Sequence, residues 1–184
     1  MLLTRNLDMA ITKTISDCCT PLFLEFMKYQ VQQSEKWHMK YPAGAPFENK
    51  HLKLDVIGGK NDDTQLAGMA MSLLINIYEK EPKAFLLEVL ACGISIKDRH
   101  RKDNTHTDHK NDALKDTKNI VKLLGVLNSD WDCATDGGGF THGGETFPLE
   151  PCDFLLFDPR IPHRADDILS DKKRIAIDFT LRTA

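Results

Sequence analysis

The apolar pattern of the chain changes period at Pro82, and that change limits the possible folds more than any other feature. Upstream, Thr20-Pro21 offers an N-cap followed by proline in the first helical turn, and Phe23, Phe26, Met27 and Val31 recur at helical spacing. This predicts a helix running to about residue 37. Asp62 or Asp63 can cap a second helix, whose stripe of Leu66, Met69, Ala70, Leu73, Leu74 and Ile77 continues until Pro82 stops it. Leu7, Ile11 and Ile15 share one face of a shorter helix, although the same segment can equally begin with a strand. Between these elements Pro42, Gly44, Pro46 and Gly58-Gly59 break up a connection with room for one strand at 52–57. Downstream of Pro82, the runs 84–96, 119–127, 154–157 and 174–181 are rich in Leu, Val, Ile and Phe and read as strands. Turn-rich loops separate them, the Gly-rich 136–144 being the longest. Helices first and strands later predict an α+β domain, its helices buttressing one face of a sheet that curls into a barrel or sandwich.

A chain of 184 residues has room for one sizeable core, so a single domain spans 1–184, with 1–82 mainly helical support and 83–184 the β core carrying the site. With 41% hydrophobic and 28% charged residues, the composition is that of a soluble globular protein. The formal charge of −3 gives no general attraction to polyphosphate and argues against a nucleic-acid partner. The basic run Lys97-Asp98-Arg99-His100-Arg101-Lys102 is followed by Asp103, Asp108, Asp112 and Asp116, and reads as a solvated loop. Five cysteines, with Cys18 and Cys19 adjacent, define no disulfide framework and point to a reducing compartment. No apolar stretch approaches the roughly 20 residues that span a bilayer. Because Met1-Leu2-Leu3-Thr4-Arg5 is followed by Asn6 and Asp8 instead of a signal-peptide core, the expectation is a cytoplasmic protein.

Chemistry enters at His106-Thr107-Asp108. Residues two apart on an extended segment point to the same side, so both can reach one ion. Ile161-Pro162-His163-Arg164 supplies a third ligand just after the apolar run Phe154-Leu155-Leu156-Phe157. Two imidazoles and one carboxylate on one face leave about three positions of an octahedral iron(II) open, enough for a bidentate 2-oxo acid and dioxygen. A closed four-ligand zinc site would exclude both. Eleven residues after His163, Arg174 opens a strand in which Ile175, Ile177, Phe179 and Leu181 face one way and Arg174, Ala176, Asp178 and Thr180 the other. The apolar side can pack on the helices, and Arg174 is suited to a bidentate pair with a carboxylate.

These residues resemble the 2-oxoglutarate and iron(II)-dependent oxygenases, especially the prolyl 4-hydroxylase-like branch. The matching segments are His106-Thr107-Asp108, Leu123-Leu124-Gly125-Val126-Leu127-Asn128, Gly143-Gly144-Glu145-Thr146, Pro151-Cys152-Asp153-Phe154-Leu155-Leu156-Phe157, His163-Arg164 and Arg174, in the family's order. The resemblance implies a double-stranded β-helix, or jelly roll, buttressed by the N-terminal helices, with His106, Asp108 and His163 holding Fe(II). It also implies O2 and 2-oxoglutarate as cosubstrates, with ascorbate as accessory reductant, and hydroxylation of a small-molecule or peptide substrate coupled to release of succinate and CO2. Arg174 would anchor 2-oxoglutarate, with Leu124 and with Thr180, which shares Arg174's strand face farther along, as further contacts. Val126 and Ala176 replace a tyrosine and a serine that support the cosubstrate in relatives, and Cys152-Asp153 stands where Gly-Asp is commoner.

His142 and His109 read as residues beside the site and not as ligands: the first on the loop before Gly143-Gly144, the second on the opposite side of the extended segment from Asp108. Trp131 reads as packing the Gly-rich loop to the barrel, and that loop as a cover over the site. The favoured function is hydroxylation of an unactivated carbon of a peptidyl or free amino acid. Its alternatives are oxidation of a nucleobase or other small metabolite, and a non-catalytic jelly-roll metal-binding module.

Overall fold

The Thr20 hydroxyl accepts the Phe23 N–H at 3.2 Å and opens the first helix, α1 (Pro21–Gln33), as the sequence predicts. The computed structural model describes residues 12–40, 51–81, 86–108 and 119–183. α1 ends four residues earlier than expected, because Ser34 leaves helical geometry and its hydroxyl turns to Asp63 Oδ2 at 2.7 Å. The Trp37 indole N–H then donates to the carbonyl of Val31 at 3.1 Å, which satisfies one acceptor of the last turn. Asp63 caps α2 (Thr64–Lys80) through the Leu66 N–H. Pro82, expected to stop that helix, lies outside the described residues, as do Leu7, Ile11, Pro42, Gly44, Pro46 and His109. No described helix is long and apolar enough to cross a membrane.

In chain order the strands are β1 (Thr12–Ile15), β2 (His38–Lys40), β3 (His51–Ile57), β4 (Leu86–Lys97), β5 (Ile120–Val126), β6 (Phe140–His142), β7 (Glu145–Phe147), β8 (Phe154–Phe157), β9 (His163–Ala165) and β10 (Arg174–Thr183), with the short α3 (Cys133–Asp136) between β5 and β6. They form a seven-stranded sheet, β1-β8-β5-β10-β4-β3-β2, and a three-stranded one, β7-β6-β9, with every pair antiparallel. The first part of the chain, read as mainly helical with room for a strand at 52–57 and for another at its start, carries both of these strands and a third. It supplies β1, β2 and β3, which extend the large sheet at both edges, where unpaired strand groups would otherwise be exposed.

β10 shows how alternation sets the layers. Ile175, Ile177, Phe179 and Leu181 point outward into the larger core, where they meet Leu24 and Met27 of α1 and Leu66, Leu73 and Ile77 of α2. The opposite face of the large sheet carries Val126, Leu155 and Phe157, which pack with Phe140, Trp131, Leu149 and Ile168 in a second cluster between the two sheets. β8 serves both clusters and is buried at all four positions. Fully burying a side chain such as Phe154 or Phe179 contributes about 1.5–3 kcal/mol. Two sheets closing on one apolar layer, with helices outside, make a jelly roll.

All five cysteines are free. Burial pushes the Cys18 thiol up to about 11 and the Cys19 thiol up to about 12, so both stay protonated at neutral pH.

Candidate metal centre

The segment bearing His106 joins the small sheet through one reciprocal pair of backbone bonds: His106 N–H to His163 O at 2.9 Å, and His163 N–H to His106 O at 2.8 Å. His163 opens β9, directly after the buried β8 and a tight turn at Asp158. The Asp108 N–H donates to Pro159 O in that turn at 3.0 Å. Two distant parts of the chain are thus tied backbone to backbone, and their side chains face one point.

Donor atoms of His106, Asp108 and His163 all lie within 4.8 Å of one another, and these residues are the one such group of three or more among the described residues. Asp108 Oδ1 stands 3.5 Å from His106 Nε2 and 3.8 Å from His163 Nε2. The other ring nitrogens are engaged: His106 Nδ1 donates to Asn104 O at 2.9 Å and His163 Nδ1 to Ile161 O at 2.8 Å. A carbonyl can only accept, so each Nδ1 carries the proton and each neutral ring presents the Nε2 lone pair, as a metal ligand must. Burial opposes ionisation of Asp108, but the neighbouring His106 imidazole and the charge of Lys122 outweigh it and hold the carboxyl well below its ordinary value. Burial lowers the pKa of His163, whereas the neighbouring Asp108 carboxylate, which favours a protonated ring, raises that of His106. Phe140 and Phe157 hold the His163 ring, with centroids 5.5 and 5.2 Å away.

His142 is not the loop residue the sequence suggested. It ends β6, directly opposite His163 in register, and is buried. Both of its nitrogens are taken, Nε2 donating to Asp158 O at 2.9 Å and Nδ1 accepting the Thr12 hydroxyl at 2.6 Å, so it is bonded away from the ligand cluster. The Gly-rich loop was expected to be irregular, yet it contains β6. Its Gly137 and Gly138 adopt positive φ and let the chain fold back beneath Trp131, whose indole donates to Gly137 O at 3.2 Å. Trp131 packs the loop to the barrel as expected.

Arg174 begins β10 directly beside Lys97 of β4, and both are buried. One guanidinium nitrogen bonds Gly138 O, while Nε has no partner. A Cβ at Gly138 would come within 3.1 Å of both Arg174 Nη1 and Trp131 Cζ2, so a glycine is required where the loop passes over the guanidinium. Burial pushes Arg174 down to about 10 and Lys97 down to about 8. The cluster between the sheets links these residues to the ligands: its Phe140 and Phe157 touch His163, and its Trp131 and Ile168 flank Gly138. Leu124 packs on the same cluster. Thr180 is not brought to Arg174. Six residues along the strand, about 20 Å at ~3.3 Å each, it stands in register with Lys122 and Ala91.

Two lysines escaped the sequence reading. In the sequence Lys97 reads as the first residue of a solvated basic run, but it is the last residue of β4; its inward direction follows from the strand alternation. The other cations of the run are paired too, Arg101 with the adjacent Asp103, and Arg99 and Lys102 with Asp171 and Asp167 of the segment before β10. Lys122 carried no motif, yet its ammonium lies 2.9 Å from Asp108 Oδ2.

The donor set of two imidazoles and one carboxylate suits a divalent first-row metal with open positions, and a buried guanidinium with an unpartnered N–H suits a carboxylate ligand. No protein-family profile matches the sequence, and no curated relative matches it. Solved structures do match by fold. A prolyl hydroxylase from Trichoplax adhaerens, in complex with a hypoxia-inducible-factor oxygen degradation domain peptide, is similar at 15% identity and a TM-score of 0.67, covering 96% of this chain and 86% of its own. The non-haem α-ketoglutarate-dependent carbocyclase SnoK of nogalamycin biosynthesis gives 13%, 0.73, 97% and 82%. HygX from Streptomyces hygroscopicus, with nickel, 2-oxoglutarate and hygromycin B bound, gives 14%, 0.65, 97% and 85%. The chain therefore has the jelly-roll fold of the non-haem 2-oxoglutarate oxygenases. Within that class its structural neighbours include prolyl hydroxylases and enzymes of small-molecule metabolism.

Proposed function

We propose that the chain is a non-haem Fe(II)- and 2-oxoglutarate-dependent dioxygenase that hydroxylates an unactivated carbon of a peptidyl or free amino acid. The observation that carries this reading is the convergence of His106 Nε2, Asp108 Oδ1 and His163 Nε2, with Arg174 buried and incompletely paired at the far end of the adjoining apolar cluster. When bound, iron(II) with 2-oxoglutarate supplies the oxidising chemistry: one atom of O2 goes to the substrate carbon and the other to succinate, with loss of CO2.

The protein's own part is placement. Backbone carbonyls at Asn104 and Ile161 fix the tautomers of the two histidines, and the bonds between residues 106 and 163 fix their separation. Arg174 offers the distal carboxylate of the cosubstrate charge-assisted bonds from a buried position, beside the second buried cation Lys97. The layer of Phe140, Phe157, Leu155 and Leu124 between the sheets excludes water from that approach. The peptide bound to one neighbour is in keeping with a peptidyl substrate, and the hygromycin B bound to another with the alternative of a small polar molecule.

The test needs no knowledge of the substrate. Purified protein with Fe(II), ascorbate and 2-oxoglutarate should release succinate and CO2 by uncoupled turnover. His106→Ala and Asp108→Ala should abolish it. Full turnover in either variant would refute the ligand assignment.

A further inference from the structure

Asp108 has two oxygens in different company. Oδ1 faces the two Nε2 atoms, whereas Oδ2 accepts from Lys122 Nζ at 2.9 Å. Lys122 is the third residue of β5, in register with Thr180 of β10 on one side and Phe157 of β8 on the other, so the sheet fixes where its stem leaves the backbone. Its ammonium is braced from a second direction by Asp178 Oδ1 at 3.5 Å.

We propose that Lys122 is a positioning residue for the metal-binding carboxylate: by occupying Oδ2 it leaves Oδ1 alone for the cation and keeps Asp108 a one-oxygen ligand. The inference rests on the proposed function and deepens it. A two-oxygen carboxylate would fill a fourth position of an octahedral ion and leave two, too few for a bidentate 2-oxo acid and dioxygen together. Lys122 thus protects the number of open positions and adds nothing to metal affinity. Its ammonium even opposes a nearby dication by charge.

Cobalt(II), an air-stable substitute for iron(II), is the probe, used on the full chain with the wild type, Lys122→Met and Lys122→Arg. Metal affinity, 2-oxoglutarate affinity of the cobalt-loaded protein, the cobalt ligand-field spectrum and thermal unfolding are measured together. Lys122→Met should bind cobalt as tightly as wild type or tighter, bind 2-oxoglutarate at least tenfold more weakly, and show an altered ligand-field spectrum before 2-oxoglutarate is added. Lys122→Arg, which keeps a donor for Oδ2, should recover most of the 2-oxoglutarate affinity. Unchanged 2-oxoglutarate affinity in Lys122→Met overturns the proposal. So does loss of metal binding, 2-oxoglutarate binding and stability in step, the mark of a merely structural ion pair. Should Lys122→Met not fold, Lys122→Arg decides alone: wild-type spectrum and affinity support the proposal, and tenfold weaker 2-oxoglutarate binding in a folded Arg variant overturns it. Failure of the wild type to bind cobalt at all overturns the metal centre itself, an outcome distinct from each of these.

Discussion

Replacing Arg174 with methionine should separate binding from stability. The side chain is 3% exposed, its Nε is unpartnered, and burial pushes the guanidinium from 12.5 down to about 10. That depression corresponds to roughly 3 kcal/mol against the charged form, at ~1.4 kcal/mol per unit. Methionine relieves this cost, fills similar space, and gives up the bond to Gly138 O, worth about 1.5–3 kcal/mol for a charged donor. The two effects nearly cancel, so the protein without cosubstrate should keep its Tm or gain a few degrees. Cosubstrate binding has no such compensation. Truncating one partner of a buried charge pair costs about 2–5 kcal/mol, and ~1.4 kcal/mol is tenfold, so the Kd for 2-oxoglutarate should rise roughly thirtyfold to a few thousandfold. Titration calorimetry on protein loaded with Mn(II), beside thermal unfolding of the metal-free protein, reads both quantities. A Tm lowered by ten degrees or more with Kd within threefold of wild type would refute the reasoning and make Arg174 a structural residue.

Other expectations follow from the same geometry. His142→Ala should cost about 1–3 kcal/mol in urea unfolding, because it strands the buried carbonyl of Asp158 and the half-buried hydroxyl of Thr12, but leave metal affinity within a few-fold; loss of metal binding by a folded variant would make His142 a ligand after all. Gly125→Ala puts a Cβ 2.6 Å from Phe154 Cε1 and should cost about 1–3 kcal/mol. Combined with Phe154→Leu it should cost less than the sum of the two changes, whereas strict additivity would mean the ring is not what the methyl meets. At the cap of α2, burial opposes ionisation of Asp63, but bonds from Ser34 and Leu66 outweigh it and lower its pKa. A depressed carboxyl stabilises the fold above the unfolded value near ~3.9 and loses that contribution as pH falls through the folded value. The deficit of Asp63→Ala, about 1–2 kcal/mol at pH 7, should therefore shrink below about pH 4. An equal deficit at pH 3 would contradict the assignment.

The parts of the fold legible in the sequence were those governed by local rules. Alternation in β10 and the caps at Thr20 and Asp63 need only neighbouring residues, and they read correctly. The convergence of His106, Asp108 and His163 was legible because each lies in a recognisable local frame, an extended His-x-Asp and a histidine just past an apolar strand. What escaped depends on pairing between distant segments. Nothing near Lys122 announces that β5 will set it against Asp108, and His142 looks like a loop residue until β6 pairs with β9. Lys97 was misread because a run of charge outweighed the strand that ends there. The early stop of α1 was invisible for the same reason, since Asp63, which draws Ser34 out of the helix, lies 29 residues away.

The position of β10 also bears on how the polypeptide matures. It lies between β5 and β4, and residues 174–183 are the last described strand to leave the ribosome. Until they emerge, β4 with β3 and β5 with β8 are two unjoined halves, each showing a bare inner edge. Closing the barrel is accordingly a late, long-range event, and nascent chains paused short of residue 174 should depend on chaperones to shield those edges.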